Sequence, residues 1–123
     1  MTTQLSVYLA GPMSGYAENN FPAFAEAAAQ LRAAGYHVVS PAEAHPDSEY
    51  PYSLWTWQQF LKADLQLMLQ QDMVALLPGW YISRGASLER DTAVAVKMET
   101  YPLADLLVPA VIERLLGASV RAA

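Results

Sequence analysis

Two carboxylates carry the most specific chemical information in this chain. Between Ser53 and Gln71 the spacing is helical, with Gln58, Gln59, Lys62, Gln66 and Gln70 on one polar face. At 3.6 residues per turn, Asp64 falls roughly 170° from the centre of that face. Its neighbours on the helix are Trp57, Phe60, Leu61, Leu67 and Met68, and apolar surroundings push a carboxyl pKa upward, as a general acid requires. The second carboxylate is Glu89 in SRGASLERDTAVAV. A helix starting near Ala86 or Ser87 puts Glu89 in its first turn, on a stripe with Ala86, Thr92, Ala93 and Val96, while Arg90, Asp91 and Lys97 face elsewhere. The positive end of the helix dipole favours an ionised carboxylate there, which suits a nucleophile or charge stabiliser. One neutral and one ionised carboxyl at a common site can cleave a glycosidic bond through an oxocarbenium-like state. A first-turn Glu also serves as a simple dipole partner, and an inward Asp as a hydrogen-bond partner for a loop, so the two residues alone leave both readings open.

The elements around them follow from pattern and punctuation. LSVYLA is a short apolar strand, and NNFPAFAEAAAQLRAAG is a helix with a start signal at Asn20, a proline in its first turn and a stop at Gly35. YHVVSP is a second strand, followed by a proline-rich loop over 41–52 that could cover a site. Ser53 is then placed to cap the helix carrying Asp64. DMVALLPGW reads as a third strand, TYPLAD as a fourth, and LLVPAVIERLLG as a terminal helix with Pro109 in its first turn. Strands alternating with helices give a mainly parallel sheet covered on both faces, with ligands beyond the strands' carboxyl ends. The loops after Ala10, Ser40 and Leu77 are expected to converge there. The turn GPMSGY, from Gly11 to Tyr16, matches neither GxGxxG nor GxxxxGK[ST], so by itself it reads as a strand-to-helix turn in which Gly11 and Gly15 allow unusual backbone angles.

Composition removes several classes of function. The 123 residues make one expected domain, 1–123; 54% are apolar and 15% charged, and no run approaches a membrane span. With no cysteine, thiolate zinc sites and cysteine nucleophiles are excluded, and His37 and His45 lack metal-ligand spacing, so no metal or cofactor is expected. The net charge of -5, with seven scattered Lys and Arg residues, argues against a nucleic acid duplex as partner. The start MTTQLSVYLAGP lacks a basic n-region, and a cytoplasmic location is the expectation. The aromatic group Tyr50, Tyr52, Trp55 and Trp57 is read as packing or dimer contact, with stacking on a base as the alternative.

Taken in order, VYLAGPMSG, the pair Asp64 and Asp72 flanking LQLMLQQ, and Ser83-Arg84-Gly85-Ala86-Ser87-Leu88-Glu89 resemble the nucleoside 2-deoxyribosyltransferase superfamily, which includes the deoxynucleoside 5'-monophosphate N-glycosidases. More closely, the AGPM and LPGW tracts resemble small uncharacterised bacterial and phage proteins of that group, over roughly residues 5 to 104. The resemblance implies a flavodoxin- or Rossmann-like three-layer α/β sandwich with a mainly parallel sheet of about four to five strands. It implies that Glu89 attacks C1' of the deoxyribose, that Tyr8 orients Glu89, and that Asp64 assists the departing base, whereas Asp72 is structural. Ser83, six residues before Glu89, matches the serine that meets a 5'-phosphate in the monophosphate hydrolases. Arg84 and Gly85 beside it, and Gly11, Met13, Ser14 and Gly15 across from it, complete the implied substrate-binding set.

The expected activity is hydrolysis of the N-glycosidic bond of a deoxynucleoside 5'-monophosphate by a homodimer or higher homo-oligomer. Pro12 and Ser14 stand where the hydrolases have Ser and Arg, and no C-terminal segment matches the one that supplies an Asn to the neighbouring site in the transferases. The alternatives are a deoxyribosyltransferase acting on free nucleosides and a non-catalytic nucleotide-binding or phage accessory module.

Overall fold

The alternation VYLA in the first strand and MVAL in the third gives each strand one side chain up and the next down, so both faces of the sheet must be covered. In the computed structural model, which describes residues 4–44 and 55–117, they are. Strands β1 (Ser6–Ala10), β2 (His37–Val39), β3 (Met73–Leu76) and β4 (Glu99–Pro102) form one parallel sheet in the order β2-β1-β3-β4. Tyr8 stands opposite Val39 on one side and Val74 on the other, and Ala10 opposite Leu76. The result is an α/β fold consistent with a three-layer flavodoxin-like sandwich, whose order is the doubly wound one.

One face carries Val7, Leu9, Met73 and Ala75 and is packed by Phe24, Ala27, Ala28 and Leu31 of helix α1 (Phe21–Ala34). Leu106 from the short α4 (Leu103–Leu106), with Val111, Ile112 and Leu115 from α5 (Pro109–Leu116), completes that layer. The other face carries Tyr8, Ala10, Val74 and Leu76 under Met68 of α2 (Trp57–Met68) and Ala93 of α3 (Arg84–Ala95). Asp72 ties the starts of β1 and β3 together, its Oδ2 accepting from the Ser6 N–H at 2.8 Å and the Ser6 hydroxyl at 3.1 Å.

Several boundaries differ from the sequence expectation. Helix α1 starts and stops as read, with Pro22 at its beginning and Gly35 closing it at φ 112°. Asn20, however, does not cap it: its own backbone is left-handed, and its side chain donates to the Pro12 carbonyl at 2.9 Å. Helix α2 begins later than Ser53, which lies outside the described residues with His45, Tyr50 and Tyr52. Its cap is Thr56, whose hydroxyl accepts the Gln59 N–H at 3.1 Å while the Gln59 carboxamide accepts the Thr56 N–H at 2.7 Å. Helix α2 also ends at Met68 rather than Gln71. The fourth strand stops at Pro102, so residues 103–105, expected to end that strand, are helical in α4, and the terminal helix starts at Pro109 rather than at Leu106.

Helix α3 begins at Arg84, not at Ala86 or Ser87, because the Ser83 hydroxyl accepts the Ala86 N–H at 3.2 Å. That offset moves Glu89 out of the first turn. At the other end of the expected stripe, Val96 is exposed at the end of α3 rather than facing the sheet.

Candidate functional site

At the carboxyl end of the sheet the turns after β1 and β3 and the facing sides of α2 and α3 enclose a cavity of about 450 Å³. Gly11, Met13 and Ser14 line it from the first turn, Ser83, Arg84, Gly85, Ala86 and Glu89 from the start of α3, and Trp57, Phe60, Leu61 and Asp64 from α2. The size and the mixture of apolar walls with a few polar groups are those of a small-molecule site. No group of three metal-ligating side chains comes together among the described residues.

Gly11 is needed for close approach rather than for its angles. A Cβ there would lie 2.8 Å from the Leu77 Cβ and 3.3 Å from the Phe24 ring, so the turn after β1 sits flush against the loop after β3. Gly15 does have a left-handed backbone, φ 84°, but it is exposed, faces open space and is not among the lining residues. The third loop expected at the site is directed elsewhere in its described part. Glu43 pairs with Arg32 of α1 at 2.7 Å, and none of 41–44 lines the cavity.

Tyr8 and Glu89 meet beneath the cavity. Tyr8 is fully buried in the sheet, Glu89 is 6% exposed, and the phenol donates its proton to Glu89 Oε2. Burial pushes the Glu89 carboxyl up to about 8, the hydrogen bond from Tyr8 pulls it down, and the charge of Asp64 pushes it up again. Burial first, then the charges of Glu89 and Asp64, hold the Tyr8 hydroxyl well above its ordinary range, so it stays a donor.

The ionisation read from sequence is therefore corrected. Glu89, placed in a first helical turn, was expected to be held ionised, but it lies in the second turn and burial outweighs any help from the dipole, so the free protein keeps it protonated at neutral pH. Asp64 points from α2 into the cavity and is half-buried, less enclosed than Glu89. Both carboxyls line the same cavity, and the charge of Asp64 raises the pKa of both Glu89 and Tyr8.

The Ser83 hydroxyl, which accepts from Ala86, retains its own proton for a ligand. Arg84 lies with its guanidinium carbon 3.9 Å from the centre of the Trp57 ring. Three lining residues, Asn19, Phe21 and Ile82, carry no signal that a sequence pattern could use. Asn19 reaches the wall because Glu18, Asn19 and Asn20 are all left-handed, at φ 54°, 54° and 62°, a conformation that asparagine tolerates singly but that three residues in succession, one of them Glu18, rarely share.

Residues 5–101 match the family described as Domain of unknown function (DUF4406). No curated protein matches the chain.

Proposed function

The chain belongs to the DUF4406 family, and from its cavity we propose that it is a nucleoside 2-deoxyribosyltransferase-like enzyme that hydrolyses the N-glycosidic bond of a deoxynucleoside 5'-monophosphate. The observation that carries this reading is the buried Glu89, hydrogen-bonded by Tyr8 and sharing one cavity with Asp64. A nucleophile must be held still and stripped of water, and a leaving base needs a proton source nearby; this pair offers both.

In the proposed reaction Glu89 gives up its proton to solvent as the ligand binds, and its carboxylate bonds to C1' as the bond from C1' to the base nitrogen breaks. The base leaves with that electron pair and takes a proton from the Asp64 carboxyl, which regains one from the water of the next step. Water then cleaves the glycosyl ester, returning Glu89 and releasing deoxyribose 5-phosphate. Ser83 and Arg84 are the donors for the phosphate, and Gly11, Met13 and Ser14 form the opposite wall.

The test is incubation with deoxynucleoside 5'-monophosphates and free deoxynucleosides, with and without an acceptor base, followed by chromatography for released base. Release from monophosphates is expected, and Glu89→Ala should lower it by about 10³-fold or more with the circular-dichroism spectrum unchanged. Full activity in that variant overturns the mechanism, turnover that needs an acceptor base assigns a transferase, and binding without release assigns a nucleotide-binding module.

A further inference from the structure

Arg84 and Trp57 come from different helices and meet at the mouth of the cavity: Arg84, which is exposed, opens α3, Trp57, half-buried, opens α2, and both line it. The guanidinium lies over the indole, 3.9 Å from the ring centre to its central carbon. No carboxylate pairs with Arg84 among the described residues, and it is the one cation among the described residues that line the cavity. The chain around it carries a net charge of -5. An arginine in such a chain more readily finds an acid to pair with; this one is held by an aromatic face instead.

Stacking has a particular chemical consequence. The five N–H donors of a guanidinium lie at its edge, and attraction to an aromatic ring occupies none of them in the way that a carboxylate would. A carboxylate partner would use two of those donors and cancel the charge. The indole biases the side chain toward the cavity without cancelling its charge, which leaves a fork of donors suited to a tetrahedral dianion.

We propose that the Trp57–Arg84 stack is the phosphate-selecting element of the cavity, with Arg84 the contact to a phosphomonoester dianion and Trp57 the positioning residue that holds it. The proposal rests on the nucleotide reading above and adds to it the residue pair that discriminates a 5'-phosphate from a 5'-hydroxyl. Trp57 acts through Arg84, so its indole face is the feature that matters, and an aliphatic side chain of similar bulk does not replace it.

The experiment compares wild type, Trp57→Phe, Trp57→Leu and Arg84→Gln by two readouts. The first is the ratio of kcat/KM for a deoxynucleoside 5'-monophosphate to that for the same free deoxynucleoside. The second is the ratio of their affinities by calorimetry at low and high salt, which needs no turnover. Arg84→Gln is expected to lower both ratios by roughly 10- to 100-fold and to flatten the salt dependence, and Trp57→Leu to lower them by roughly 2- to 5-fold, with Trp57→Phe retaining most of the wild-type value. Ratios that stay at the wild-type value, or that fall equally in Trp57→Phe and Trp57→Leu, overturn the proposal. Absence of base release from wild type would refute the enzymatic reading, while the calorimetric ratios would still decide whether the stack selects phosphate.

Discussion

The two faces of the sheet are built from the same strands and do opposite work. On the α1, α4 and α5 side, Val7, Leu9, Met73 and Ala75 meet Phe24, Leu31 and Leu106, and the buried side chains are nearly all hydrocarbon. On the α2 and α3 side, the very next residues along those strands, Tyr8 and Val74, meet Met68 and Ala93, with a carboxylic acid sealed beside them. One face supplies the hydrophobic stabilisation; the other uses part of it to keep Glu89 out of water. A period-two strand lets the two requirements be met one residue apart.

That contrast can be broken from either side. Phe24→Ala, on the hydrocarbon face, is expected to cost about 3–5 kcal/mol in chemical denaturation, through lost burial and the cavity left behind. If the two faces are as separate as they look, the pH at which Glu89 titrates will not move in that variant, and a shift would show them to be coupled.

On the other face, Glu89→Gln is expected to stabilise the fold. The carboxyl titrates near 8 in the native protein against 4.5 ordinarily, so between those values the native state binds more protons than the unfolded one. Stability therefore falls as pH rises through that window, by on the order of 3–5 kcal/mol once the window is passed. Denaturation midpoints of the variant and wild type should nearly coincide near pH 4.5 and separate progressively up to pH 9. Midpoints that differ equally at both ends would mean that Glu89 is not titrating as described.

Tyr8→Phe removes the one bond that favours the Glu89 carboxylate and leaves its buried oxygen without that donor. A stability loss of about 1–2 kcal/mol is expected, together with an upward move of the Glu89 titration measured by NMR. The smallest effect belongs to the rim. Glu18→Gly relieves a left-handed residue and is expected to gain about 1 kcal/mol or less in thermal denaturation.

The layered architecture was legible in the sequence because it rests on signals that act locally. The alternating apolar strands, Pro22 and Gly35 at the ends of α1, and Pro109 opening α5 each fix their own neighbourhood. Capping was harder to read at α2 and α3, where more than one serine or threonine lies near the start of the helix. Ser53 and Thr56 both precede α2, and only the partner Gln59 distinguishes them. Ser83 and Ser87 both lie near the start of α3, and Gly85 made the first turn look like loop. That small displacement carried a chemical consequence, since it changed Glu89 from a dipole-supported anion into a buried acid. The inward direction of Asp64 was readable from helical periodicity, whereas the place of Asn19 in the wall was not. It depends on three consecutive left-handed residues; asparagine tolerates that conformation, but Glu18 beside Asn19 and Asn20 gives no reason to expect a run.

The burial of Glu89 beside Tyr8 also makes ligand capture an acid–base event. Any ligand that requires the Glu89 carboxylate must, at neutral pH, expel a proton to the solvent as it binds. The heat of binding should then vary with the ionisation enthalpy of the buffer, with close to one proton released per site well below pH 8. Above that pH the exchange disappears, and the same ligand will seem tighter although every contact it makes is unchanged.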